Sequence, residues 1–512
     1  MYIGDHARER PDHPAVVDAA TGETLTYREL DDRSNRLAQL LHAEGLRRGD
    51  TVALFMENNI RFLEVAWAAL RSGLYLTAVN RYLTADEAAY IINDCDARVL
   101  ISSAAKAATA AELPGRLPGC RRFLMTDGAI PGWEPYETSI AAFPPEPLAV
   151  ERAGELMLYS SGTTGRPKGV QRKLRDVHPG QDALFDDMIE TYGFGSDTIY
   201  LSPAPMYHAA PLAFSTVVQR CGGTVLMMPR FDAAEALALI ERYRATHGQF
   251  VPTMFVRMLK LDPAERTADL SSLRRAIHAA APCPVEVKRA MIDWWGPVID
   301  EYYGGTESNG RTVISCAEWL ERPGSVGRAR VGIVHICDED GAELPAGEDG
   351  LVYFERDVTP FAYHKDPERT RAAQHPAHPN WSALGDIGHV DEAGYLFLTD
   401  RKAFMIISGG VNIYPREIED VLIGHPKVHD VAVFGMPDAE MGERVAAVIE
   451  PAVEPSPALA AELSAYAALH LARYKLPKTI DFTAALPRLP TGKLYKKALR
   501  DEYLARAIAA SS

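Results

Sequence analysis

The chain has 512 residues, 47 per cent hydrophobic and 24 per cent charged, with a formal net charge of −15. This is globular composition, which excludes a disordered chain, and the length predicts two to four domains with a sizeable core. The acidic balance excludes general nucleic-acid binding, which needs a basic footprint, but leaves room for a local basic pocket that takes a phosphate. Six scattered cysteines form no CxxC pair, which argues against structural zinc and fits a reducing compartment, so the cytoplasm is the expected location. The opening residues MYIGDHARERPDHPAVV hold no apolar signal core, and no apolar run is long enough to span a bilayer. Nothing in the sequence sets the oligomeric state.

In chain order, TYRELDDRSNRLAQLLHAEG opens with a capping box, Thr26 with Glu29, in which each side chain satisfies the other's backbone N–H. Leu30, Leu37 and Leu41 then mark one helical face, and Gly45 suits the stop. TVALFM predicts a buried strand, NIRFLEVAWAALRSG a helix and LYLTAV a strand. A second capping box follows at Thr84 and Glu87, then the strand RVLIS and an Ala-rich helix or surface loop over 104–112. Strand–helix alternation of this kind predicts parallel sheets covered on both faces. Residues 145–300 continue in α/β style. From GSVGRARV to GYLFLTD, short strands with Gly/Asp turns predict a small β subdomain. After Arg401 the order helix, strand, strand, helix predicts a compact α+β unit, so the expected division is 1–400 and 401–512. The fold class is thus α/β, a large N-terminal domain of parallel sheets with a small β subdomain, followed by a small α+β C-terminal domain.

One stretch has almost nothing to bury: YSSGTTGRPKGV, Tyr159 to Val170. Its glycines at 162, 165 and 169 open backbone angles closed to other residues and let main-chain N–H groups approach an anion. The hydroxyls of Ser160, Ser161, Thr163 and Thr164 add donors and Lys168 adds charge. The best-matched guest is a polyphosphate. The string is not a Walker A loop, because Pro-Lys-Gly stands where Gly-Lys-Ser/Thr is needed.

This string closely resembles the phosphate-loop motif of the adenylate-forming superfamily, which includes acyl- and aryl-CoA synthetases, the adenylation domains of peptide synthetases and beetle luciferases. Further motifs in the right order extend the resemblance from about residue 20 to about residue 500. It implies a large N-terminal domain and a mobile C-terminal one. YYGGTES resembles the aromatic-Gly-x-Thr-Glu motif, which implies that Tyr303 stacks on adenine beside Gly304, Thr306 bonds the α-phosphate and Glu307 holds Mg²⁺. WSALGDIGHV resembles the segment whose Asp, here Asp386, accepts from the ribose hydroxyls; Leu384 stands where a Thr or Ser is common. TDRKAFMIISGGVNIYPREIE resembles the hinge and thiol-tunnel segment. There Arg401 is implied to contact ribose or phosphate, and Ser408, Gly409 and Gly410 to line the path of the CoA arm. The pivot position holds Ala403 between Lys402 and Phe404, and Glu417 is expected to be a helix N-terminal acid. PRLPTGKLYKKALR resembles the motif whose lysine, here Lys493, reaches the reacting carboxylate and α-phosphate. His208 in SPAPMYHAAPL stands near the implied acyl carboxylate.

The activity so implied uses ATP, Mg²⁺ and CoA: a carboxylate attacks the α-phosphorus, pyrophosphate leaves, and the acyl-AMP is passed to a thiol. The expected pocket segments MYHAAPL, QFVPTMF, HAAAPCP and YYGGTE are apolar and rich in small residues. They predict a medium or large hydrophobic acid, fatty, aryl or sterol-like, and they hold no Asp for an α-amine. Arg473, Lys475 and Lys478 are the basic candidates for the CoA 3′-phosphate. The alternatives are an amine acceptor, a carrier-protein acceptor, a luciferase-like oxygenase, or a catalytically silent AMP- or acyl-binding protein.

Overall fold

The computed structural model of the chain describes residues 1–160, 167–183, 185–281, 283–401, 404–408, 411–438, 441–488 and 494–511; of 401, 411–412 and 507–511 the backbone alone is described. Both capping boxes form. Thr26 caps the helix Tyr27–Ala43, with Glu29 reaching back to the Thr26 N–H at 2.8 Å. Thr84 and Glu87 do the same for Ala85–Asp94. The strand Thr51–Phe55 is buried at every position, as its unbroken apolar run requires of a central parallel strand.

Among the described residues the N-terminal part holds two large sheets. A six-stranded one, all parallel, runs in the order 134–135, 122–126, 97–103, 51–55, 75–78, 155–156. A thirteen-stranded one has a parallel centre made of 14–18, 224–227, 199–202, 247–250, 275–278 and 299–303. The helices Tyr27–Ala43, Arg61–Arg71 and Ala209–Arg220 supply the core between them, where Leu37, Leu41, Leu63, Leu212 and Val218 are fully buried. The expected small β subdomain is present but continuous with the large sheet. The strand Ser325–Val331 pairs with Arg311–Ile314 on one side and Leu396–Arg401 on the other, bulging at both. The bulges bend it enough to serve two neighbours.

Beyond Arg401 the strands 406–408, 411–413, 428–438, 442–451 and 479–482 form a sheet of their own. The helices Pro415–Ile423 and Pro457–His470 cover its core, with Ile418, Leu422 and Leu463 at zero exposure. The helix, strand, strand and helix expected after Arg401 are present, and the strands 406–408, 411–413 and 479–482 and the helix Lys496–Ser511 are additional to them. The two parts touch where Lys260 Nζ donates to the His429 carbonyl at 3.3 Å.

A buried ion pair lies beneath the strand that leads into the Tyr303 motif. Lys288 Nζ is 2.7 Å from Glu301 Oε2 and 4.7 Å from the centre of the Trp319 ring, and His278 Nε2 is 3.3 Å from the same carboxylate. Burial alone would raise the Glu301 carboxyl, but the facing His278 and Lys288 outweigh it and set it low. His278 is itself lowered, chiefly by burial. The pair's stabilisation is therefore complete above the ordinary carboxylate pKa and fades as pH falls below it. Lys288→Met strands a buried carboxylate, and urea denaturation is expected to show a loss of about 3–5 kcal/mol, largely recovered by adding Glu301→Leu. An unchanged midpoint in the single variant would contradict this.

Candidate active site

The Gly/Ser/Thr string joins two antiparallel strands, Leu158–Ser160 and Lys168–Arg172, with Ser160 paired across to Lys168. Ser161, Gly162, Thr163, Thr164 and Gly165 lie outside the described residues. Gly169 has a packing reason of its own, since a Cβ there would meet the Tyr159 ring at 2.9 Å. The Lys168 side of the hairpin pairs with a third strand, Phe361–Tyr363. That pairing places the Lys168 ammonium 3.9 Å from the centre of the Tyr363 ring.

Tyr363 is the link to the second motif. It is 4 per cent exposed, and its hydroxyl donates to Glu307 Oε1 at 2.9 Å. Three residues separated in sequence by 56 positions or more are thus joined as cation, ring and carboxylate. A Cβ at Gly305 would meet Leu384 Cδ1 at 2.1 Å and Glu307 Oε2 at 3.1 Å, so any larger residue would have to displace the leucine. Leu384, where a Thr or Ser is common in the resembling segment, packs beside Val170, Phe361 and Tyr363 and forms an apolar floor under Gly305.

Ser308, just after the carboxylate, has φ of +52°, a left-handed conformation costing a serine about 1–3 kcal/mol. Two arginines hold it. Arg172 Nη1 donates to Ser308 Oγ at 3.1 Å and Arg356 Nη1 to its carbonyl at 3.3 Å. Arg172 is fixed in turn by Glu155, itself 2 per cent exposed, at 2.5 Å. The Lys168 hairpin and the Glu307 loop are therefore clamped together twice, once through Tyr363 and once through Arg172.

The third motif enters from the side. Tyr303 ends the strand Ile299–Tyr303, and its hydroxyl donates to Asp386 Oδ2 at 2.7 Å. Asp386 is buried within the strand Trp381–Val390, after Gly385 at φ +86°, and faces Arg401 across the antiparallel register. Gly304 passes close to its neighbouring strand, for a Cβ would sit 3.1 Å from the Gly310 carbonyl. Thr306 is half-buried in the turn closed by the Ser308 N–H on the Gly305 carbonyl. His208 is the N-cap of the helix Ala209–Arg220, its ring 4.1 Å from that of Tyr207.

Of the C-terminal candidates, Lys493, Gly409 and Gly410 lie outside the described residues, as do Lys402 and Ala403. Ser408 ends a strand paired with Val411 and Gly442. Glu417 is in the first turn of its helix, as expected, and Lys475 Nζ lies 2.6 Å from its carboxylate. That contact already engages one of the three basic candidates for the CoA phosphate.

Tyr363, Arg172 and Arg356 escaped the sequence reading. Arg172 carried a faint signal, a second cation four residues beyond Lys168. Tyr363 and Arg356 carried none.

Lys168 and Glu307 are thus joined through Tyr363, and Tyr303, four residues before Glu307, is bonded to Asp386. The AMP-binding enzyme family model matches residues 3–359, and the AMP-binding enzyme C-terminal domain model matches 417–493. Over 515 residues the chain is 33 per cent identical to the long-chain-fatty-acid–CoA ligase FadD13 of Mycobacterium tuberculosis, covering 98 per cent of this chain and 99 per cent of that one. It is 34 per cent identical over 503 residues to a feruloyl-CoA synthase of Amycolatopsis, covering 97 per cent of each. The solved structure of the amide bond synthetase McbA from Marinactinospora thermotolerans superposes with a TM-score of 0.83 at 28 per cent identity, over 98 per cent of this chain and 99 per cent of that one. The chain belongs to the AMP-binding enzyme family, the adenylate-forming superfamily, in its acyl-CoA ligase branch.

Proposed function

We propose that the chain is an AMP-forming acid–thiol ligase that joins ATP to a hydrophobic carboxylic acid and hands the acyl group to CoA, with Lys168, Tyr303, Thr306, Glu307, Asp386, Arg401 and Lys493 as its working residues. The observation that carries this assignment is the Lys168–Tyr363–Glu307 cluster, linked through the segment 303–307 to the Tyr303–Asp386 pair.

The acid's carboxylate oxygen attacks the α-phosphorus, the bond to the bridging oxygen breaks, and pyrophosphate leaves. Anion meets anion in that step, so the protein must aim cations and donors at charge as it builds. Lys168 and the hydroxyl-rich hairpin hold the β- and γ-phosphates. Thr306 donates to the α-phosphate. Tyr303 offers its ring to adenine, and Asp386 accepts from the ribose. Lys493, on the C-terminal unit 401–512, draws carboxylate and α-phosphate together, which is chiefly positioning. His208, at the head of its helix, borders the acyl carboxylate. Glu307 suits Mg²⁺: its oxygens are hard donors, Oε1 is steadied by Tyr363, and the Gly305 backbone leaves Oε2 uncovered by any Cβ. Bound there, the ion neutralises phosphate charge. In the second half-reaction the C-terminal unit turns about the segment after Arg401, withdraws Lys493 and lets the thiol pass Ser408, Gly409 and Gly410.

Among the described residues no helix is long and apolar enough to cross a membrane. The cysteines are free thiols, four of them buried, which suits the reducing cytoplasm. Pyrophosphate release over a panel of fatty and aryl acids, with and without CoA, tests the assignment. The expected result is acid-dependent release that turns over steadily only with CoA and yields acyl-CoA. Turnover with amines and not with CoA would move the chain to the amide synthetases. No release with any acid would overturn the proposal.

A further inference from the structure

The helix Ala85–Asp94 reaches the Lys168 hairpin on both flanks of its turn. Asp94 Oδ2 accepts from the Tyr159 hydroxyl at 2.5 Å, just before Ser160. The Tyr90 hydroxyl donates to the Pro167 carbonyl at 3.3 Å, just before Lys168. Residues four apart share a helical face, so one face of one helix holds both flanks. The end of that helix is fixed in turn. Its last carbonyls have no intrahelical donor, and that of Asp94 accepts from His364 Nε2 at 3.0 Å and from Lys365 Nζ at 2.6 Å. Lys365 also bonds Asp96 Oδ1 at 2.9 Å. Both of these residues are left-handed, at φ of +56° and +53°, and such strain persists where the surroundings over-determine it. The His364 N–H closes the ring on the Gly169 carbonyl at 2.8 Å. Ser160 and Lys168 are register partners on the hairpin so held. The Ser160 hydroxyl is buried with no hydrogen-bond partner among the described residues, a state that calls for a ligand or another partner.

We propose that Tyr90, Asp94 and Tyr159 are positioning residues for ATP, which hold Ser160 and Lys168 in the arrangement that grips its phosphates. The inference rests on the proposed ligase activity. A hairpin already in place spares the ligand the work of ordering it. With an anchor cut, only a fraction of the molecules is competent, and the apparent Kd rises by the inverse of that fraction. Saturating ATP restores the arrangement, so the loss falls on KM and spares kcat.

The test measures, in the full-length protein, the Kd of ATP by calorimetry with Mg²⁺ present, and KM and kcat for pyrophosphate release. Tyr90→Phe and Tyr159→Phe each remove one hydroxyl and keep the ring. Each is expected to raise the Kd and KM for ATP by about three- to tenfold, and the double variant by more. Saturated kcat is expected to stay within about twofold of wild type, and conversion of supplied acyl-AMP to thioester to stay unchanged. Asp94→Asn keeps an oxygen acceptor for Tyr159 and should bind ATP better than Asp94→Ala. A wild-type Kd in the double phenylalanine variant overturns the inference. So does an equal fall in both half-reactions with a lowered melting temperature, the mark of purely structural anchors. If Asp94→Ala fails to fold, the phenylalanine variants decide. If the wild type binds ATP but activates no acid, the ligase proposal fails, and the Kd series still judges the anchors.

Discussion

Tyr363→Phe is expected to lower kcat/KM for ATP by roughly ten- to a hundredfold, the worth of about 1.5–3 kcal/mol for a hydrogen bond to a charged acceptor. The hydroxyl reaches Glu307 Oε1 at 2.9 Å in a site that is 4 per cent exposed at the tyrosine and 7 per cent at the carboxylate. Water has little access to replace it, and Glu307 is then free to leave the direction in which it would meet a metal ion. The ring survives in phenylalanine, so the contact with the Lys168 ammonium at 3.9 Å survives too. The deficit should therefore appear in the adenylating half-reaction, and raised Mg²⁺ should offset part of it. Conversion of supplied acyl-AMP to thioester should stay near wild type. A purely structural tyrosine would depress both half-reactions together and shift the melting temperature. Unchanged ATP kinetics would remove Tyr363 from the site.

Lys493→Ala is expected to slow adenylation by about a hundred- to a thousandfold, the usual cost of removing one preorganised charge donor, while thiolation of supplied acyl-AMP changes little. Lys493 lies outside the described residues, but both flanks of its segment are anchored. Arg488 Nε is 2.8 Å from Asp430 Oδ2, and Lys496 Nζ is 2.8 Å from Glu419 Oε1. Arg488 and Leu494 also meet across an antiparallel bridge. In the proposed mechanism Lys493 reaches the reacting oxygens and later withdraws, which calls for a stiff base. Equal loss of both half-reactions would refute the division of labour between the two orientations. Rapid-quench measurement of acyl-AMP formation, with thioester formation followed separately, distinguishes the outcomes.

Local features could be read directly from the chain. The two capping boxes involve residues three apart, and the helices they open stand where the apolar spacing put them, because N-caps and helical faces are settled within a turn or two. The buried run Thr51–Phe55 and the Gly-rich string between Ser160 and Lys168 were legible for the same reason: burial pattern and backbone freedom are written residue by residue. The cross-connections arise only from the packing of distant segments. Tyr363 meets Glu307 because its strand pairs with the Lys168 strand, and Arg172 meets Ser308 across 136 positions of sequence. A hydrogen bond at 3 Å is indifferent to sequence separation, and strand order is set by how whole sheets pack. The same holds for Tyr302, which reads in the sequence as one more aromatic before a turn. Gln249, two strands away in the sheet, and Phe214, on the helix Ala209–Arg220, meet it only because sheet and helix pack together.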